Sequence, residues 1–196
     1  MTFHDTVRRW ATRAFQPLAT VLASWGISAN ALTLLGFFLT AGVGVVLALG
    51  QLRLGGILIV FSTVFDGLDG LVARTSGRTS RFGAFLDSTL DRYAEIALFF
   101  GLLVYYMDRQ KHLDVILIFA ALAGSLMVSY AKARAEGLDI ECKEGLLTRL
   151  ERLAILVIGL ISGQVRLALW ILAVLANLTA VQRMYVVWQK TGQGRV

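Results

Sequence analysis

Residues 66–91 read D-G-L-D-G-L-V-A-R-T-S-G-R-T-S-R-F-G-A-F-L-D-S-T-L-D, which sets four carboxylates, Asp66, Asp69, Asp87 and Asp91, into stretches otherwise apolar enough to cross a membrane. A charged side chain near the centre of a bilayer costs about 2.5–3.5 kcal/mol on insertion scales, so four together imply a cation, a polar cavity or both. Asp66 and Asp69 are three residues apart, and Asp87 and Asp91 are four apart. On helices each pair shares a face, and two such faces opposed would make one oxygen-rich pocket.

Outward from this run the chain continues as membrane protein. Of its 196 residues 57% are hydrophobic, and Pro17 is the one proline; ordinary soluble domains carry about 45–50% apolar residues. Apolar segments predict six spans, at 29–49, 54–72, 82–107, 113–133, 147–161 and 165–188. Most approach the ~20 residues a bilayer requires, and the fifth is short. Ahead of them Arg8, Arg9 and Arg13 alternate with Phe3, Val7, Trp10 and Phe15. No continuous apolar run follows these basic residues at once, as it would in a signal peptide, so an interfacial amphipathic helix is expected. The expected fold is therefore all-α: a polytopic membrane protein of six transmembrane helices plus an N-terminal amphipathic helix. It forms a single domain over 1–196, with a juxtamembrane segment at 1–26 and a six-helix core at 27–190. One cysteine, Cys142, excludes an intramolecular disulfide.

The net charge of +6 has a use here that needs no nucleic acid. Most Lys and Arg residues fall near the two ends and in the loops at 74–81 and 134–146, against Arg53, Arg109, Lys111 and Arg166 on the other side. The positive-inside rule then puts both termini in the cytoplasm of a multi-pass cell-membrane protein. The second span descends to that side carrying Asp66 and Asp69 at its end, and the third rises from it carrying Asp87 and Asp91 at its start. All four acids are expected at similar depth, open to cytosolic substrates.

Carboxylates without nearby His or Cys form a hard oxygen site suited to Mg²⁺, Mn²⁺ or Ca²⁺, and such ions grip, polarise and orient phosphoryl groups. Gly67, Gly70, Ala73 and Gly83 leave the same helices locally bare, for close helix packing or for a nucleotide lying against the backbone. Intramembrane acids also mark proton relays and cation pathways, so a small transporter stays open on the acids alone. Their clustering toward one face counts against a through-going pathway.

The pattern Asp66-x2-Asp69-Gly70-x2-Ala73-Arg74-x8-Gly83-x3-Asp87-x3-Asp91 resembles the signature of the CDP-alcohol phosphotransferases, with every defining position present. The resemblance implies a six-helix membrane enzyme, usually a homodimer. Such an enzyme transfers a phosphatidyl group from CDP-diacylglycerol to an alcohol and releases CMP. It further implies Asp66, Asp69 and Asp87 as metal ligands, and Asp91 both near the metal and as general base. Mg²⁺ or Mn²⁺, two ions to the site, is the implied cofactor. The donor nucleotide would lie against Asp69, Gly70, Ala73, Arg74 and Gly83. At 28–33, S-A-N-A-L-T stands where family members often carry P-N-x-x-T, adding Asn30 and Thr33 to the donor site, although Ser28 and Asn30 also suit a helix cap.

A second constellation is basic: S-Y-A-K-A-R-A-E at 129–136, T-R-L-E-R at 148–152, and Arg183 within the apolar run L-T-A-V-Q-R-M-Y-V-V-W. Converging cations suit a phosphate on the acceptor and would repel choline or ethanolamine. These stretches are similar to those of bacterial phosphatidylinositol-phosphate synthases, which implies Lys132, Arg152 and Arg183 as the inositol-phosphate pocket. Those enzymes commonly carry E-R-P-E-R, where this chain has Thr148 and Leu150 in place of the first Glu and the Pro. The alternative acceptor is glycerol 3-phosphate, which would make the chain a phosphatidylglycerophosphate synthase.

Overall fold

The computed structural model describes residues 16–77, 79–142 and 145–192, with Val64 and Asp66 described by their backbone alone. Among these residues the chain is all-helical. After a helical stretch at 16–24 come α1 (Ala29–Ala48), α2 (Leu52–Thr75), α3 (Arg81–Asp108), α4 (His112–Glu136), α5 (Arg149–Ser162) and α6 (Val165–Gly192). Of these α1, α2, α4 and α6 are long and apolar enough to cross a membrane. The 28 residues of α3 are interrupted by Asp87, Asp91, Arg92 and Glu95. The 14 residues of α5 rise only about 21 Å.

Helix centres follow the apolar runs, but helix ends do not. α2 continues past the expected end at residue 72 to Thr75, and α6 continues past 188 to Gly192. The added turns carry Arg74 in one case and Lys190 in the other, and cations are favoured where helix carbonyls are left over. α5 starts two residues later than the apolar run because Thr148 caps it. The Thr148 side chain accepts from the backbone of the third helical residue, while the Thr148 N–H donates to Glu151 Oε2 at 2.5 Å, a reciprocal capping box. The helix ends at Gly163, whose φ of 78° lies in the left-handed region that glycine occupies without strain.

The chain divides into two compact units. The first comprises Met1–Gly42 and Leu58–Ala94, the second Val43–Ile57 and Glu95–Val196. In the first unit the helical stretch at 16–24 buries Ala19 against Leu32 of α1 and Leu68, Leu71 and Val72 of α2. Gln16 Nε2 also donates to Thr75 Oγ1 at 3.1 Å. The remainder of the expected amphipathic segment, residues 1–15, lies outside the described residues.

In the second unit glycine sets the helix crossings. A Cβ on Gly44 of α1 would lie 2.5 Å from the Ala97 carbonyl oxygen of α3, and one on Gly101 of α3 would run into the Gly44 backbone. Two backbones meet here with no side chain between them, the close approach that small residues permit. Ion pairs complete the unit. At the start of α4 the fully buried Asp114 accepts from Arg166 Nε and Nη2, both at 2.7 Å.

Candidate active site

The first unit gathers the residues expected around a nucleotide. A cavity of about 220 Å³ is lined by Asn30 and Thr33 from α1, Asp69, Gly70, Ala73 and Arg74 from α2, and Gly83 and Asp87 from α3, with Thr79 and Ser80 from the connecting loop. Helical spacing brings them together. Asp69, Gly70, Ala73 and Arg74 recur at i, i+1, i+4 and i+5, one flank of a helix, as do Asn30 and Thr33 at i, i+3.

Asp69 is held firmly in this cavity. It is 7% exposed. Its Oδ2 accepts from Thr33 Oγ1 at 2.7 Å and its Oδ1 from the Gly70 N–H at 2.5 Å, so its orientation is set from two directions. Thr33 also donates to the Ala29 carbonyl at 3.0 Å. Of the two cap candidates only Ser28 caps: its Oγ accepts from the Ala31 N–H at 3.2 Å. Asn30 already lies inside α1 and turns to the cavity, which corrects the cap reading for that residue.

The small residues keep the cavity open. A Cβ on Gly83 would stand 3.0 Å from Ser80 Oγ and 3.1 Å from Asn30 Oδ1, so a side chain there would push Asn30 from its place. One on Gly70 would stand 3.7 Å from Arg74 Nη1; the guanidinium folds back along its own helix over the bare position. Two carboxylates, Asp69 and Asp87, therefore share the lining with one guanidinium, an excess of negative charge that suits a cation. Among the described residues no group of three His, Cys, Asp or Glu side chains forms an ion cage. Asp66 contributes only its backbone to the described atoms, and Asp91 is outside the cavity lining, one turn beyond Asp87 on α3 and 4.0 Å from Arg92 Nη1. Oxygen donors of this kind fit a hard divalent ion.

A neighbouring cavity of about 560 Å³ shares Ala29, Asn30 and Ser80 with the first and adds the hydroxyl residues Thr20, Ser24, Ser28, Thr75 and Ser76. Among the described residues no carboxylate lines it, and of these hydroxyls the sequence singled out only Ser28, as a helix cap.

The second unit holds the basic constellation. Arg183 is 5% exposed, with Nη1 donating to the Val128 carbonyl of α4 at 2.7 Å. Arg152 is 2% exposed, and it faces Glu95 of α3 edge to edge, Nε to Oε1 and Nη2 to Oε2, both at 3.2 Å. Nη2 also reaches Ser129 Oγ at 3.4 Å. Arg152 and Arg183 lie close enough to repel one another. Lys132 is different: half-exposed, it pairs with Glu136 one turn on at 3.7 Å. Sequence reading missed Glu95. Its signal was a carboxylate inside Y-A-E-I-A-L-F-F, four residues after Asp91 and on the same stripe as Asp87 and Asp91.

An archaetidylinositol phosphate synthase of Methanothermobacter thermautotrophicus is 36% identical over 96% of this chain and 93% of its own. The crystal structure of Mycobacterium tuberculosis phosphatidylinositol phosphate synthase with CDP-DAG bound superimposes with a TM-score of 0.86 at 33% identity, covering 90% of this chain and 94% of that one. The same enzyme in complex with manganese and citrate gives a TM-score of 0.82 at 34% identity, over 88% of each chain. Residues 26–191 match the CDP-alcohol phosphatidyltransferase family, and the chain belongs to that family.

Proposed function

We propose that this chain moves a phosphatidyl group from CDP-diacylglycerol to inositol phosphate, giving phosphatidylinositol phosphate and CMP. The observation that carries the reading is the cavity of the first unit, where Asn30, Thr33, Asp69, Gly70, Ala73, Arg74, Gly83 and Asp87 converge. Relatives of the same family that bind CDP-DAG or manganese, or are named for inositol phosphate, support it.

In the proposed reaction a hydroxyl of the acceptor attacks the phosphorus that bears the diacylglycerol. The new P–O bond forms as the bond to the CMP oxygen breaks, and Asp91 takes the proton of the attacking hydroxyl. Arg74 balances charge on the departing nucleotide, while Gly70, Ala73 and Gly83 let the nucleoside lie against backbone. Asp66, Asp69 and Asp87, with Asp91 beside them, would hold Mg²⁺ or Mn²⁺, two ions to the site. Divalent metal there supplies neutralisation and orientation of the phosphoryl oxygens. Lys132, Arg152 and Arg183 bind the acceptor's phosphate. The protein works as a homodimer of six-span chains, each a single membrane domain, with both termini and the active site on the cytoplasmic side.

One assay tests the reading. Purified protein is incubated with CDP-diacylglycerol, divalent metal and, separately, inositol phosphate, glycerol 3-phosphate or phosphatidylglycerol, and CMP release is measured. Release should be fastest with inositol phosphate. Release with glycerol 3-phosphate alone would make the chain a phosphatidylglycerophosphate synthase, and release with none would reject the activity.

A further inference from the structure

We propose that Glu95 is a positioning residue for acceptor binding: it occupies one edge of the Arg152 guanidinium so that the other edge is turned to the acceptor's phosphate. The inference rests on the reading of Arg152 as a phosphate ligand and adds a residue from outside both motifs.

A guanidinium carries five N–H donors in a rigid fork. Glu95 takes the Nε and Nη2 edge, and Ser129 Oγ takes a further Nη2 hydrogen. Among the described residues no hydrogen bond engages Nη1; one of its hydrogens lies on the remaining edge, beside the Nη2 hydrogen that Ser129 takes at 3.4 Å, and the other points to the Cδ side of the group. A carboxylate matched to one edge fixes the plane of the group and therefore the direction of the other. Free rotation about the arginine stem would otherwise scatter that direction among rotamers, at a cost recovered only on binding.

Neutralising Arg152 does not leave the cluster without charge. Arg183 is the second buried guanidinium, and it is anchored to the Val128 carbonyl, next in the chain to the Ser129 that holds Arg152. One turn of α4 thus fixes both arginines; among the described residues Glu136, which pairs with Lys132, also acts on Arg183, so the three cations stand against the two carboxylates Glu95 and Glu136, a positive balance suited to a phosphate monoester. The burial of Glu95 and Arg152, with side chains 6% and 2% exposed, is what makes the pairing strict. Removing one partner of a buried pair leaves the other charge without compensation.

The experiment measures CMP release at saturating CDP-diacylglycerol against inositol phosphate concentration, for the wild type, Glu95→Gln, Glu95→Asp and Ser129→Ala, with thermal unfolding of each. An amide can accept from only one donor of the Arg152 edge and sets an N–H against the other. Loss of a charge-assisted contact predicts a rise in the inositol phosphate KM of at least about tenfold for Glu95→Gln, with kcat and the CDP-diacylglycerol KM changed by less than about threefold. Glu95→Asp, which keeps the charge on a shorter stem, should recover part of the loss. An unchanged or lowered acceptor KM in Glu95→Gln, or a fall in thermal stability with KM intact, would overturn the proposal. Should Glu95→Gln fail to fold, Ser129→Ala decides: it removes a single Arg152 contact and should raise the same KM several-fold, and no change would overturn the idea. A wild type that uses glycerol 3-phosphate instead would correct the acceptor, and the same variants would then be titrated with that ester.

Discussion

Three cations were expected to hold the acceptor's phosphate, and burial separates them. Arg183 is 5% exposed and fixed to the Val128 carbonyl, whereas the Lys132 side chain is 48% exposed and its pair with Glu136 is 3.7 Å long. Exposed pairs of that kind contribute about 0–1 kcal/mol, while a buried cation contributes in proportion to what it binds. Arg183→Ala should therefore raise the acceptor KM by at least an order of magnitude and Lys132→Ala by only a few-fold, as read from CMP release in acceptor titrations. Legibility at this scale followed distance along the chain. Asp69, Gly70, Ala73, Arg74, Gly83 and Asp87 were readable because their spacing lies within a run of 26 residues. Arg152 meets Glu95 across 57 residues and Arg166 meets Asp114 across 52, and no spacing rule predicts which distant acid a buried arginine will find.

At the scale of the helix, the six apolar runs located every helix centre, while the ends were decided by groups that hydropathy does not weigh. Thr148 is one, since its capping box moves the start of α5 beyond the apolar run. The crossing of α1 and α3 is another, where Gly44 and Gly101 meet backbone to backbone. A methyl group on Gly101 has no space to enter, and overpacking of this kind costs about 1–3 kcal/mol. Gly101→Ala should lower the thermal unfolding temperature in detergent. Gly42→Ala, whose added Cβ would meet nothing within 4 Å, should leave it unchanged or raise it slightly, because alanine is the better helix former. Equal responses from the two variants would contradict the crossing.

For the whole molecule, orientation is the open physical quantity, and the asymmetry of Lys and Arg predicts it. In a Cys142→Ser background, Leu138→Cys and Arg53→Cys introduce single thiols at exposed positions. A membrane-impermeant maleimide added to intact cells should label position 53 and reach position 138 only after permeabilisation. Labelling in the reverse order would invert the proposed topology. Polar residues keep α3, and its 14 residues keep α5, outside a count by length and composition, so four helices qualify where six apolar runs were read.

The brevity of α5 has a consequence for the lipids around it. As a span, its 14 residues cover about 21 Å of a hydrocarbon layer roughly 30 Å thick, and a bilayer meets such a mismatch by thinning locally or by drawing polar groups inward. Arg152 lies in the first turn of this helix. With the proposed topology and acceptor site, the acyl layer would be shallowest beside Arg152, and a polyol phosphate insoluble in oil would approach its arginine through a dimple of headgroups and water while the diacylglycerol tails of the donor stay in the layer.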